Sequence, residues 1–434
     1  MNAFEIRGGN PLHGTITPQG AKNEALQILC AVLLTGDTIT LTNVPDIADV
    51  NTLIEVLEDM GVKIERPAVN TLVLNAGDIN QDYFTEKTFI KKSGRLRGAV
   101  MLAGPLLGRF RKAHIPQPGG DKIGRRRLDT HIRGFEKLGV AFHYDAEEYL
   151  FTLNGSAMRG GNILMEEPSV TGTANMVMAA VLTEGTTTIY NAACEPYVQQ
   201  LCRMLNNMGA DIAGIGSNFL TIHGVKKLHG CEHRMLADMI EVGSFIGMAA
   251  MTQGELTIKD ADTAHLGNIP ETFQRLGIEL QVNGNDIYIP AQEHYRINKF
   301  IDGSILTIYD HPWPGFTPDL LSIILVVATQ SKGTILVHQK MFESRLFFVD
   351  KIIEMGAQIV LCDPHRAVVI GLDRQVPLRG TNMVSPDIRA GVALLIAALS
   401  AEGKSVIQNI SQIDRGYERI DKRLQALGAD IKRV

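Results

Sequence analysis

The run Pro116-Gln117-Pro118-Gly119-Gly120-Asp121-Lys122-Ile123-Gly124-Arg125-Arg126-Arg127-Leu128-Asp129 gathers more chemically able side chains than any other stretch of the 434-residue chain. Its glycines and prolines mark an exposed loop. Three arginines and a lysine surround one acid, Asp121. Guanidinium forks bind phosphate through paired hydrogen bonds. An acid on a glycine-rich loop can be carried onto a bound molecule as a lid closes. The plainer reading of the same residues is a solvated basic loop.

Charged or hydrogen-bonding groups also recur where apolar helical stretches begin: Lys22-Asn23, Arg97, Ser169-Val170-Thr171, Asp238 with Glu241, Asp319, and Arg389. Helix N-termini offer free N–H groups and a positive dipole end, which attract phosphate and carboxylate. Asp238, Glu241 and Ser169 need no more explanation than capping. Lys22, Arg97 and Arg389 do, because a cation at a helix start opposes the dipole. Three such placements predict counter-anions.

A sixfold repeat positions these groups. A Met-Gly or Leu-Gly pair closes an amphipathic helix at Met60-Gly61, Leu138-Gly139, Met208-Gly209, Leu276-Gly277, Met355-Gly356 and Leu427-Gly428. A period of about 70 residues is too long for a solenoid and suits a βα module packed into globular lobes. Upstream of each pair lies a helix apolar nearly all round (25–34, 98–107, 175–182, 243–251, 320–328, 390–399), which belongs inside a lobe. Next come a glycine and a β-branched strand such as Thr38-Ile39-Thr40-Leu41, then the amphipathic surface helix, as at 50–60 or 417–427. Three units around three buried helices close one lobe, so the expected architecture is α/β, with two lobes and a cleft between them.

Bulk composition narrows the function classes. The apolar content of 45% allows large cores, and a net charge of -5 gives no basic field for nucleic acid. Five cysteines (Cys30, Cys194, Cys202, Cys231, Cys362) lack CxxC spacing, which points to a reducing cytoplasm. The N-terminus does not read as a signal peptide. The longest apolar run, 320–329, falls far short of the ~20 residues that span a bilayer. Neither a nucleic acid nor a membrane is an expected partner, and the oligomeric state stays open. His229-Gly230-Cys231-Glu232-His233 carries ligand types but reads as a turn, so no metal is expected. Gly214-Ile215-Gly216 is too short for a dinucleotide fingerprint and reads as a hairpin turn. Trp313 is equally suited to lining a cleft or to packing its own loop.

Four phrases in register, Gly20-Ala21-Lys22-Asn23, Pro118-Gly119-Gly120-x-x-Ile123-Gly124-x-Arg126, Phe316-Thr317-Pro318-Asp319 and Ile413-Asp414-Arg415-Gly416-Tyr417-Glu418-Arg419, together resemble the enolpyruvyl transferases. The resemblance spans the whole chain. It implies an inside-out α/β barrel of two lobes, one of residues 21–236 with a catalytic lid at 116–129, the other of 1–20 plus 237–434. It further implies transfer of the enolpyruvyl group of phosphoenolpyruvate to the 3'-hydroxyl of UDP-N-acetylglucosamine by addition and elimination, releasing phosphate, with no cofactor. By the same resemblance Lys22, Arg126, Arg389 and Arg415 surround phosphoenolpyruvate, supported by Arg345. Asp121 is the acid over C3 and Asp319 the base at the hydroxyl, and Lys22 and Arg415 count with them as catalytic. Asn23, Arg97, Ser169, Val170 and Met341 meet the nucleotide sugar, and Arg126, Arg127, Leu128, Asp129 and Thr130 hold its uracil and diphosphate.

The chain departs from the family pattern at the lid, where most members carry cysteine and this chain has Asp121. Arginines depress a carboxyl pKa, so Asp121 is a competent acid only once closure and the anionic substrate push it back up. The family is inhibited by fosfomycin through alkylation of that cysteine, and a carboxylate is a far poorer nucleophile. Glu167, Met239 and Met341 replace lysine, arginine and valine common in the family, which bears on nucleotide affinity. The alternatives are a shikimate-pathway enolpyruvyl transferase and a non-catalytic nucleotide-sugar-binding paralogue.

Overall fold

The structure, a computed structural model, describes residues 2–116, 119 and 127–434. The chain divides into two compact units: a first of Gly20–Gly120 with Arg126–Leu236, and a second of Met1–Gln19 with Ala237–Val434. Among the described residues each holds three small sheets.

The first unit is built on helices α1 (Lys22–Ala31), α2 (Ala103–Phe110) and α3 (Val170–Ala180). Its sheets order as Glu232–Arg234, Thr38–Thr42, Thr71–Asn75, Lys63–Ala68; as Lys112–Pro116, Leu150–Asn154, Ala141–Asp145; and as Asp211–Ala213, Phe219–His223, Thr186–Tyr190, Asn162–Leu164. The second unit has α4 (Met239–Thr252), α5 (Leu321–Ala328) and α6 (Ile388–Ser400). Its sheets centre on Glu255–Ile258, on Lys332–His338, and on Ala3–Arg7 paired antiparallel with Lys404–Gln408. The α/β repeat expected from the sequence is thus present in both units.

All six inner helices are buried along their length. In α5 every residue of Leu-Ser-Ile-Ile-Leu-Val-Val-Ala is buried, although β-branched side chains are mediocre helix formers. Burial of an aliphatic side chain, ~1.5–3 kcal/mol each, outweighs propensity differences of a few tenths. Glycine lets these helices touch. A Cβ at Gly104 would stand 2.6 Å from Asn175 O, and one at Gly108 2.8 Å from Met178 O, so α2 lies backbone to backbone on α3. In α4, Gly243 and Gly247 admit Leu320 Cδ1 and Ile323 Cγ2, at 2.5 and 2.6 Å from where a Cβ would be.

The six closing pairs share one capping motif. Gly61, Gly139, Gly209, Gly277, Gly356 and Gly428 all take φ between 85° and 105°. In each, the glycine N–H and the next N–H return to carbonyls of the last helical turn, as Gly61 N to Glu58 O (2.9 Å) and Val62 N to Leu57 O (3.0 Å). This Schellman arrangement needs a left-handed residue, which glycine adopts without a Cβ penalty.

Several features differ from the sequence expectation. The stretch 98–107 divides into a tight-turn segment, Arg97–Leu102, and α2. Pro105 explains this, because it has no N–H for an α-helical bond back to Met101 O and its ring crowds that carbonyl. The surface helix expected from Tyr417 begins at Ile420, after Arg419 at φ 41°, and Tyr417 is fully buried. The strand leading parallel onto Thr38–Thr42 is Glu232–Arg234, from nearly 200 residues later in the chain, while His13–Ile16 pairs with Glu255–Ile258 in the second unit. Among the described residues no helix is long and apolar enough to cross a membrane.

Candidate active site

In the second unit the start of α5 carries the acid singled out from the sequence. Thr317 caps the turn Pro318–Leu320, and Asp319 projects from it. Arg345 Nη2 donates to Asp319 Oδ1 at 2.6 Å, and Arg389 Nε and Nη2 both approach Oδ2 at 3.1 Å. The three side chains are 6–18% exposed. Burial pushes the Asp319 carboxyl up, but Arg389 and Arg345 outweigh it and hold the group at about 2. Burial likewise pushes Arg389 down, and Asp319 with Tyr417 more than reverses this. Arg345 lies over the Phe342 ring at 5.0 Å, and its Nε is buried with no partner among the described residues.

Arg389 is the second residue of α6, whose N-cap Asp387 accepts from Arg389 N and Ala390 N. Its Nη1 reaches Tyr417 Oη at 3.4 Å, and that hydroxyl lies 2.7 Å from Ser244 Oγ. The Ser244 proton goes to Ile240 O at 2.7 Å, so Tyr417 donates to Ser244 and accepts from Arg389. Arg415, on the turn before Tyr417, donates to Gln412 Oε1 at 2.8 Å. Met341 is 39% exposed, and its backbone is set by buried Asp310, which accepts from Met341 N (3.1 Å), Lys340 N and Gln339 Nε2. Trp313 packs inside this unit, against Gly267.

In the first unit Lys22 opens α1, and its Nζ meets Asp49 Oδ2 at 2.7 Å with both side chains nearly buried. Asn23 follows, half-buried. Arg97 Nη2 reaches Arg127 O at 3.4 Å. Leu128 precedes the helix Asp129–Lys137, where Asp129 is exposed and Thr130 Oγ donates to Glu167 Oε1 at 3.2 Å. Ser169 caps α3 by accepting from Gly172 N, and Val170 is its first residue.

A buried network ties the segments around Val100, His131 and Thr171. Asn175 Oδ1 accepts from Gly104 N (2.8 Å), so its Nδ2 faces Val100 O and His131 Nδ1, each at 2.9 Å. His131 Nδ1 is therefore the acceptor, and Nε2–H donates to Thr171 Oγ at 3.2 Å. Burial, with a smaller contribution from Arg97, pushes the imidazole down to about 3.

The first unit contains Lys22, Asn23, Arg97, Arg127, Leu128, Asp129, Thr130, Ser169 and Val170, and the second contains Asp319, Met341, Arg345, Arg389 and Arg415; direct contacts join Asp319 to Arg345 and Arg389, and Arg97 to the Arg127 carbonyl. Asp121 and Arg126 lie outside the described residues. Two of the counter-anions inferred from the dipole argument are side chains of the same unit, Asp49 for Lys22 and Asp319 for Arg389. Sequence reasoning missed Asp49, Asp310, His131 and Tyr417; only Tyr417 had a signal, its place in the Arg415 phrase. His233 and Glu241 serve structure, with His233 Nε2 2.8 Å from buried Glu24 and Glu241 paired with Arg423. Gly214 and Gly216 turn the hairpin between Asp211–Ala213 and Phe219–His223.

Residues 6–424 match the family model of EPSP synthase (3-phosphoshikimate 1-carboxyvinyltransferase). A Porphyromonas gingivalis protein named UDP-N-acetylglucosamine 1-carboxyvinyltransferase is 62% identical over all of both chains. One of the same name from Treponema denticola is 47% identical, over all of this chain and 99% of the relative. Among solved structures, the enolpyruvyl transferase NikO from Streptomyces tendae superposes with a TM-score of 0.86 at 22% identity, over 99% of this chain and 98% of that one. EPSP synthase from Acinetobacter baumannii gives 0.71 at 16%, over 100% and 99%. These two likenesses establish the fold, an enolpyruvyl transferase fold of the inside-out α/β kind. The chain therefore belongs to the EPSP synthase family of 1-carboxyvinyltransferases, and within it to the UDP-N-acetylglucosamine 1-carboxyvinyltransferases.

Proposed function

We propose that this chain transfers the enolpyruvyl group of phosphoenolpyruvate to the 3'-hydroxyl of UDP-N-acetylglucosamine and releases phosphate, the step that commits the sugar to peptidoglycan. Asp319 accepts the hydroxyl proton as the sugar oxygen bonds to C2 of phosphoenolpyruvate. Asp121 lends a proton to C3. The resulting tetrahedral ketal phosphate then returns that C3 proton and expels phosphate, which carries away the proton Asp319 took from the hydroxyl, so the carbon skeleton leaves as an enol ether. Lys22, Arg126, Arg389 and Arg415 hold the phosphate and carboxylate, with Arg345 supporting. Asn23, Arg97, Arg127, Leu128, Asp129, Thr130, Ser169, Val170 and Met341 take the nucleotide sugar.

The observation that supports the reading most is Asp319, a carboxylate at the start of an apolar helix with Arg345 on one oxygen and Arg389 on the other. Such a group stays ionised, and its partners are cations that anionic phosphoenolpyruvate competes for. As phosphoenolpyruvate draws Arg389, Asp319 recovers basicity at the moment a base is needed. Both substrates are small and water-soluble, which agrees with a cytoplasmic enzyme.

Incubation with both substrates tests the reading. The expected result is one enolpyruvyl nucleotide sugar for each phosphate released, by mass spectrometry and phosphate assay. Phosphate release with 3-phosphoshikimate instead, or nucleotide-sugar binding with no release, would replace it with the corresponding alternative.

A further inference from the structure

Gln19 was not among the residues expected to matter, yet its hydrogen bonds converge on the phrase that carries Arg415. The residue is 6% exposed. Nε2 donates to Gly416 O at 2.8 Å and Oε1 accepts from Glu418 N at 2.7 Å. Its backbone is held as firmly, with N donating to Glu241 Oε2 (2.7 Å) and O accepting from Asp238 N (2.8 Å). Glu241 in turn receives Arg423 Nη1 at 2.5 Å, and Arg423 Nη2 reaches Thr17 O at 2.7 Å. Gln19 is therefore a fixed bracket, fastened to the start of α4, that closes on the 416–418 turn.

The chemistry of the bracket is specific. Gly416 O needs a donor and Glu418 N–H needs an acceptor, and a primary amide offers both side by side. A carboxylate in its place would set an oxygen against Gly416 O. A hydrocarbon of the same length would fill the space with neither bond. On the other side, the turn is held through Ile413, whose carbonyl accepts from Gly416 N and Tyr417 N, both at 3.0 Å. Between these supports stands Arg415, whose Nη1 rests on Gln412 Oε1. A misplaced guanidinium loses most of a bidentate contact, so backbone placement matters more here than at a flexible lysine.

We propose that Gln19 is a positioning residue for Arg415: its buried amide clamps the Gly416–Glu418 backbone and so aims the guanidinium at the anionic end of phosphoenolpyruvate. The phosphoenolpyruvate assignment rests on the proposed function, while the clamp stands on the hydrogen bonds alone.

The test uses the full chain with Gln19→Met, which keeps length and burial but removes both side-chain bonds, and with Gln19→Glu. The expected result for Gln19→Met is a KM for phosphoenolpyruvate raised about tenfold, in line with the loss of one to two net hydrogen bonds, with the KM for UDP-N-acetylglucosamine within twofold of wild type. Gln19→Glu is expected to do at least as much harm. Made in an Arg415→Lys background, Gln19→Met should add less than threefold, because the group it aims is already compromised. A phosphoenolpyruvate KM within twofold of wild type, or an equal rise for both substrates, would overturn the proposal. If neither variant folds, hydrogen exchange of the Glu418 amide in the wild-type chain decides. Saturating phosphoenolpyruvate should slow it at least threefold, and no change overturns the coupling. A wild-type chain that releases no phosphate from the two substrates refutes the functional reading instead, and is seen before any variant is made.

Discussion

Replacing Arg389 by methionine probes the electrostatics around Asp319. The substitution keeps most of the buried stem and removes a guanidinium with two nitrogens 3.1 Å from Asp319 Oδ2. Breaking one side of a buried ion pair costs ~3–5 kcal/mol, against ~0–1 for a surface pair. Asp319 keeps Arg345, which places the expected loss at the lower end, about 3 kcal/mol. Urea denaturation of wild type, Arg389→Met, Asp319→Asn and the double variant measures it, and the double variant should recover about 2 kcal/mol relative to the sum of the singles. The pH dependence has a definite sign. In wild type the Asp319 carboxyl is held at about 2, below its ordinary 3.8, so its contribution is complete above about pH 4 and is lost as pH falls towards 2. In Arg389→Met burial is opposed by Arg345 alone, so the folded pKa rises from about 2, and the penalty is largest at neutral pH and shrinks as pH falls towards 2. Additive single variants, or a deficit that grows between pH 7 and 5, would refute the claim that Arg389 neutralises Asp319.

Other outcomes follow from separate parts of the structure. His131, held at about 3 against an ordinary value of 6.5, binds a proton only when the chain unfolds, so it makes stability fall below pH 6.5 by up to about 1.4 kcal/mol per pH unit; the difference in urea midpoint between pH 7 and pH 5 should shrink in His131→Gln, and an unchanged difference counts against a neutral buried imidazole. Gly104→Ala drives a methyl into the Asn175 backbone at 2.6 Å and should lower the melting temperature sharply or prevent folding, so a melting temperature within 2 °C of wild type, by the ~4 °C per kcal/mol scale of such domains, contradicts the helix contact. With Asp121 in place of a thiol, the enzyme should resist time-dependent inactivation by fosfomycin, and Asp121→Cys should confer it; progressive inactivation of the unaltered chain is the opposing result.

The repeat was legible because its marks are backbone requirements. A left-handed cap asks for glycine, and six of them at similar spacing outline the architecture before any contact is known. The inner helices were legible because burial all round leaves no polar face. What stayed hidden depends on contacts distant in sequence. No local rule pairs Lys22 with Asp49, and none brings Glu232–Arg234 onto Thr38–Thr42. Of the three cations at helix starts, Lys22 and Arg389 proved to be paired with carboxylates of the protein. Pro105 was visible in the sequence, and its effect on the 98–107 helix follows from its missing N–H; reading apolar periodicity alone passed over it. Gln19 had no signal, since a single amide before a glycine is unremarkable until the Gly416–Glu418 turn folds against it.

Single-turnover phosphate release in wild type and Asp319→Asn, with both substrates saturating, examines the proposed chemistry most directly. The carboxamide keeps the shape of the group and removes its ability to take a proton. Loss of a general base predicts a rate lower by ~10²- to 10⁴-fold, with UDP-N-acetylglucosamine still bound. A variant that releases phosphate within a few-fold of the wild-type rate would contradict Asp319 as the base.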